Sequence, residues 1–358
     1  MMQYMSSIAG VAILSILITR LLIPISHLVG LLDRPSDRKT HAGAIPLIGG
    51  ISIYLSVVLG SVAFLELSDT FIGVALICGL VTFMGALDDR YPLQAGYRLL
   101  VQLIAGLAIA SIGVQVSSLG NLIGLGTIYL GLFAIPFTAI AITGLCNAYN
   151  MVDGIDGLAG CLTLVALCSL LYLTQGHAPD NEVVLLASLC ASIAIFLMFN
   201  LTLRPKIKVF MGDAGSTFLG CAVAIAMIYF SQSGRDIINP ATTLWLVTIP
   251  VMDMVSTMLR RLGKGKDPFH ADRTHLHHIL MRGGLNQRQA LACIILVATG
   301  CALLGIFLER VWPQHETVSF VLWLTLFGLY FKFVVKHAFK FAKRLRRKGV
   351  LRAQVSNR

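Results

Sequence analysis

The stretch Asn147-Ala-Tyr-Asn150-Met-Val-Asp153-Gly-Ile-Asp156-Gly157 stands between two apolar runs, Ile128–Cys146 and Leu158–Thr174. It packs two carboxylates, two carboxamides and two glycines into eleven residues. A bilayer interior tolerates such a segment only where it meets a water interface or lines a cavity. The apolar flanks therefore decide the class of the protein, and the stretch marks where polar chemistry meets the membrane.

The composition supports a membrane class throughout. Of 358 residues, 56% are hydrophobic and 13% charged, with a mean hydropathy of +0.81; soluble domains are about a quarter charged. Runs suited to a bilayer recur at Ile8–Val29, Ile45–Leu65, Phe71–Leu87, Tyr97–Gly113, Ile128–Cys146, Leu158–Thr174, Val183–Phe199, Thr217–Phe230, Thr242–Leu259, Ala290–Leu308 and Val318–Val335. The expectation is an all-α integral membrane protein of about eleven transmembrane helices, forming one polytopic domain over residues 1–358. Arg20 is the first charge, and no cleavage site follows the first run, so no signal peptide is expected.

Cys78, Cys146, Cys161, Cys168, Cys190, Cys221, Cys293 and Cys301 lie in or beside apolar runs without any CxxC pair. They read as small buried hydrophobes, not as disulfides or a zinc site.

Charge gives the orientation. The basic tail, residues 340–358, carries Lys343, Arg344, Arg346, Arg347 and Lys348, which places the C-terminus in the cytoplasm. An odd helix count then puts the N-terminus in the periplasm. On this assignment the outer loops hold only Arg235 and Arg310, and the large cytosolic loop 260–288 is rich in cations. The formal charge of +11 is thus explained by inner loops and anionic lipid, not by nucleic acid. Glu66, Asp69, Asp180, Glu182, Asp236, Glu309 and Glu316 fall outside and read as solvated interface residues. The inner loops show no internal repeat, which argues against an inverted-repeat transporter.

Several inner segments carry chemistry. Asp88 and Asp89 end the third run, where the helix dipole is already negative, so Arg90 or a divalent cation should compensate them. Asp153 and Asp156 precede a helix N-terminus whose N–H groups suit an anion. Lys208-Val-Phe-Met-Gly212-Asp213-Ala-Gly215-Ser216 repeats that arrangement. Loop 260–288 holds Arg261 and His275-Leu-His277-His278. Three histidines among cations fit phosphate donors better than zinc, since no cysteine is near. Lys39 could reach a phosphate, and Gly49-Gly50 could allow close helix packing. Asp253 lies roughly 10 Å inside the ninth run, so it faces a wet cavity or pairs with a neighbouring helix.

Carboxylates from three inner loops could surround one hard cation, which keeps substrate phosphates as ligands. That chemistry suits phosphoryl transfer from a soluble nucleotide-linked donor to a lipid acceptor. A cation-coupled transporter of an anionic metabolite is the alternative, with charges spread to the midplane; a scaffold leaves the repeated Gly–Asp sites unexplained.

Asp88-Asp89, Asn147–Gly157, Lys208–Ser216 and His275–His278 together resemble the polyprenyl-phosphate N-acetylhexosamine-1-phosphate transferases, over at least Gly30 to Arg288. The histidine motif is most similar to that of the bacterial branch using UDP-N-acetylglucosamine (UDP-GlcNAc), with Leu276 where isoleucine is usual. The resemblance implies an eleven-helix layout in the bacterial inner membrane with its active site on the cytoplasmic face. It implies GlcNAc-1-phosphate transfer from UDP-GlcNAc to undecaprenyl phosphate with Mg2+ or Mn2+, releasing UMP and starting O-antigen or enterobacterial common antigen synthesis. On this basis Asp213 with Asp153 or Asp156 would hold the cation, Asp156 being nearest the helix start. Asp88 and Asp89 would orient or deprotonate the lipid phosphate. Asn147, Asn150, Lys39, Lys208, Arg261, His275, His277 and His278 would bind substrate. The oligomeric state stays open, a homodimer included.

Overall fold

The computed structural model describes residues 2–34, 43–178, 180–232, 234–268 and 274–334. Thirteen α-helices lie among them: α1 (Met2–Val29), α2 (Gly49–Phe64), α3 (Asp69–Arg90), α4 (Ala95–Ser111), α5 (Ala134–Val152), α6 (Leu158–Thr174), α7 (Asp180–Asn200), α8 (Gly212–Ser231), α9 (Pro240–Leu246), α10 (Thr248–Leu262), α11 (Leu276–Arg282), α12 (Gln287–Val311) and α13 (Glu316–Lys332). Every apolar run of the sequence contains helix. By length and composition, six helices among the described residues are able to cross a membrane, or seven if the bent pair α9–α10 counts as one span. The protein is thus a largely helical, multi-pass membrane protein. The helices α2, α4 and α6 are apolar but shorter.

Three runs differ from the sequence expectation. The ninth is not one helix: α9 and α10 meet at 84°. Pro250 lies in the first turn of α10, where a missing N–H is tolerated; deeper inside a continuous helix it would cost a backbone hydrogen bond. The third and eighth runs look short because their polar ends are helical too. α3 continues through Asp88 and Asp89, and α8 starts at Gly212 rather than Thr217.

α8 is the centre of the bundle. Its span is 83% buried, against 17–56% for the other candidate spans, as expected of a helix apolar on every side. Small residues let its neighbours come close. A Cβ on Gly85 of α3 would lie 2.4 Å from Ala214 Cα, and one on Gly50 of α2 would lie 2.1 Å from Gly215 Cα. The glycine pair that opens α2 therefore serves helix contact. A short ladder, β1 (Leu32–Asp33) with β2 (Ile45–Pro46), precedes α2. The segment before α8 joins it: Phe210 N donates to Pro46 O, and Gly49 N donates to Phe210 O.

The ends of the helices away from these ladders are sealed by acids that the sequence suggested were solvated. Glu316 is only 8% exposed and accepts from Asn121 N and Ala241 N. Glu309 accepts from Asn239 N and Thr242 Oγ1. Glu182 pairs with Arg235 at 2.6 Å. Each carboxylate fastens a loop end whose backbone or side-chain donors would otherwise go unpaired. All eight cysteines are free; Cys168 and Cys293 are exposed rather than buried.

Candidate active site

Asn147 and Asn150 belong to the last turns of α5, so the true break in the opening stretch is Asp153–Gly157. Gly157 enters α6 at φ +80° with no side-chain cap. Neither aspartate therefore serves as a helix cap. Asp156 forms an ion pair with Lys208, Nζ to Oδ2 2.6 Å. Asp153 has no hydrogen-bond or ion-pair partner among the described residues. Burial pushes its carboxyl up to about 8, with the carboxylates of Asp213, Asp89 and Asp156 adding to the shift.

Asp88 and Asp89 are compensated, though not by Arg90, whose guanidinium lies over the Tyr91 ring at 5.0 Å. Asp88 Oδ2 accepts from Arg98 Nη1 at 2.7 Å, and its Oδ1 accepts from Leu93 N at 2.8 Å. Asp89 accepts from the backbone N–H groups of Asp213 (2.8 Å) and Ala214 (3.0 Å). It thus sits on the positive end of α8, which relieves the repulsion expected at the negative end of α3. Asp213 is the meeting point. Its Oδ1 accepts from Asn150 Nδ2 at 2.8 Å, and its Oδ2 from Arg98 Nη1 at 3.3 Å. Asn150 also donates to Ser216 Oγ, 3.0 Å. Asn147 donates to Gln102 Oε1 at 2.6 Å.

The histidine motif docks on the same loop. A Cβ on Gly154 would lie 2.2 Å from His277 Nε2, so only glycine permits this approach. His277 is 3% exposed, and its Nε2 has no hydrogen-bond partner among the described residues. Burial, then the adjacent His278, pushes its pKa down to about 3. The His277 ring packs on that of His278 with centroids 4.1 Å apart. His275 Nδ1 lies 2.8 Å from Asp253 Oδ2. Asp253 therefore pairs with the histidine motif of the loop, and a neighbouring helix meets it as well, through Tyr330 of α13. Arg261 donates Nε to the Asp267 carbonyl at 2.6 Å, while Arg260 meets Thr274 Oγ1. Lys39 lies outside the described residues.

Sequence reasoning missed the bridging roles of Arg98, Gln102 and Ser216. Arg98 and Gln102 are four apart in α4, hence on one face. Two polar residues on one face at the cytosol-assigned end of an apolar run were the available signal.

Among the described residues, no three His, Cys, Asp or Glu side chains converge tightly enough to hold a metal alone. The donor set is nevertheless hard oxygen, and Asp153, with three other carboxylates acting on it, has no compensating partner of its own among the described residues. That fits a cation completing its shell with phosphate oxygens.

The sequence profile of glycosyl transferase family 4 matches residues 71–231. The chain is 38% identical over 321 residues to the undecaprenyl-phosphate alpha-N-acetylglucosaminyl 1-phosphate transferase of Yersinia pestis, covering 89% of this chain and 88% of that one. The protein of the same name from Escherichia coli strain K12 is 38% identical, over 89% of this chain and 87% of its own. That of Haemophilus influenzae is 35% identical, over 94% of both. Identity of this extent joins the motif resemblance to the geometry in which those motifs meet, and the chain belongs to glycosyl transferase family 4.

Proposed function

We propose that the protein transfers GlcNAc-1-phosphate from UDP-GlcNAc to undecaprenyl phosphate, yielding undecaprenyl-pyrophosphate-GlcNAc and UMP. The supporting observation is the meeting of Asp88 and Asp213 at Arg98, with Asp89 on the backbone of Asp213, beside the Asp153 loop and the histidine motif, in a chain similar along most of its length to enzymes so named. The proposed topology has eleven spans, counting the shorter helices α2, α4, α6 and α13 with the six long ones and the α9–α10 pair. Loop charge then sets the N-terminus periplasmic, the C-terminus cytoplasmic and the site at the cytoplasmic face of the inner membrane.

In this reaction an oxygen of the lipid phosphate attacks the β-phosphorus of the donor. The bond from that phosphorus to the bridging oxygen breaks, and UMP leaves with the electron pair. Asp88, steadied by Arg98, orients or deprotonates the lipid phosphate. Asp89 has both oxygens on the α8 backbone and so holds Asp213 in place. Asp213 and Asp153 would hold Mg2+ or Mn2+; Asp156 is the weaker candidate because Lys208 already pairs with it. The cation would neutralise the diphosphate and ease UMP departure. His275, His277 and His278 bind the donor's phosphates or sugar, with Lys208 and Arg261 adding positive charge.

The test is UMP release by purified protein, expected only with UDP-GlcNAc, undecaprenyl phosphate and a divalent cation together. Chelation should abolish release, and Mg2+ or Mn2+ should restore it. Accumulation of donor in liposomes without UMP release would instead indicate transport. Direct attack inverts a chiral β-phosphate; retention would establish an aspartyl-phosphate route.

A further inference from the structure

Asp253 is a carboxylate 1% exposed, and burying such a group is costly unless its oxygens are paired. Three donors meet it, two from the histidine segment and one from α13. His275 Nδ1 lies 2.8 Å from Oδ2, Leu276 N donates to Oδ1 at 3.0 Å, and Tyr330 OH donates to Oδ1 at 2.8 Å. A carboxylate only accepts, so His275 must present its Nδ1–H to Asp253. That fixes the ring's orientation and leaves Nε2 as the nitrogen for another partner. The same stretch of chain that carries Tyr330 also buries Val334 against Ile279 of α11. Tyr330 of α13 therefore reaches the histidine segment through Asp253, and Val334, just beyond the end of α13, reaches it through Ile279.

We propose that Tyr330 is a positioning residue for the transfer, acting through Asp253 to hold His275 for the sugar-nucleotide donor. The proposal rests on the function above for its kinetic effect, but not for the contact itself. Without the phenol, Oδ1 of Asp253 keeps only the Leu276 amide. The carboxylate is then free to turn, and His275 loses its fixed acceptor. Nothing in the lipid-phosphate part of the site, at Asp88 and Arg98, depends on this contact.

The experiment uses full-length protein and Tyr330→Phe, which keeps the ring and removes one hydroxyl. The KM for UDP-GlcNAc should rise about tenfold, the scale of a hydrogen bond to a charged group. The kcat, the KM for undecaprenyl phosphate and the apparent Tm should stay close to wild type. In parallel, histidine-selective 15N spectra should show the His275 ring signal, assigned by its loss in His275→Gln, as an Nδ1–H tautomer in wild type and displaced or broadened in Tyr330→Phe. An unchanged His275 signal overturns the proposal whatever the activity. So does an equal rise of both KM values with a lowered Tm, which would mark a merely structural role. Absence of UMP release by the wild type would defeat the proposed function, while the spectra would still decide the contact.

Discussion

Arg98 is the residue on which the charge balance of the site turns. One guanidinium nitrogen contacts carboxylates of two motifs that lie far apart in sequence, Asp88 at 2.7 Å and Asp213 at 3.3 Å. Such bonds are worth about 1.5–3 kcal/mol each, and lysine is no equivalent because its ammonium is a strongly hydrated point charge on a shorter, flexible stem. Arg98→Lys should therefore slow UMP release about ten- to a hundredfold, with the apparent Tm nearly unchanged. Turnover within about twofold of wild type would show that the bridge is dispensable. The carboxylates themselves were legible as glycine-punctuated strings. Arg98 was not, because a cation at the inner end of a span already has a sufficient cause in membrane topology. Its partner lies 115 positions away, and only folding brings the two together. The same holds for Tyr330, whose hydroxyl is indistinguishable in sequence from that of any interfacial tyrosine.

At the scale of elements, the crossing of α3 and α8 positions the acids. Gly85 lies one turn before Asp88 and Asp89, and α8 approaches so closely there that a methyl group would meet backbone rather than a movable side chain. Gly85→Ala should cost about 1–3 kcal/mol, the usual range for overpacking. It should also part Asp89 from the two N–H groups it accepts from. The expected result is a lowered apparent Tm together with a fall in activity. Gly96→Ala in α4 is the control, since nothing lies within 4 Å of its added carbon, and it should be neutral or slightly stabilising. Equal Tm values for the two variants would remove the argument for close packing. The eleven apolar runs predicted helices because hydropathy dominates in lipid. They misjudged where helices end, since α3, α5 and α8 each carry polar site residues into their terminal turns. The break between α9 and α10 was hidden because Pro250 sits in an otherwise continuous apolar run.

For the molecule as a whole, pH and sidedness give two tests. His277 is buried neutral, with its pKa lowered from 6.5 to about 3. Between those values the unfolded chain binds a proton that the folded one does not, so its contribution to stability is complete above pH 6.5 and is lost as pH falls toward 3. The apparent Tm of wild type should therefore drop more between pH 7.5 and pH 5 than that of His277→Gln; equal drops would contradict the buried neutral ring. The second test concerns the two ends of the bundle. One gathers Asp88, Asp89, Asp153, Asp213 and the histidines with an excess of Arg and Lys in its loops. The other is closed by Glu182, Glu309 and Glu316, with Arg235 and Arg310 as its cations among the described residues. Positive loops are retained in the cytoplasm, and a nucleotide-sugar donor is a cytoplasmic solute, so the proposed orientation has the acid-rich end inside. Leu125, 87% exposed in the loop between α4 and α5, and Lys264, exposed after α10, report opposite ends. In a cysteine-free background, Leu125→Cys should react with a membrane-impermeant maleimide in spheroplasts, whereas Lys264→Cys should react only after the inner membrane is opened. The reverse pattern would turn the protein over and put the carboxylates on the side where no nucleotide sugar is supplied.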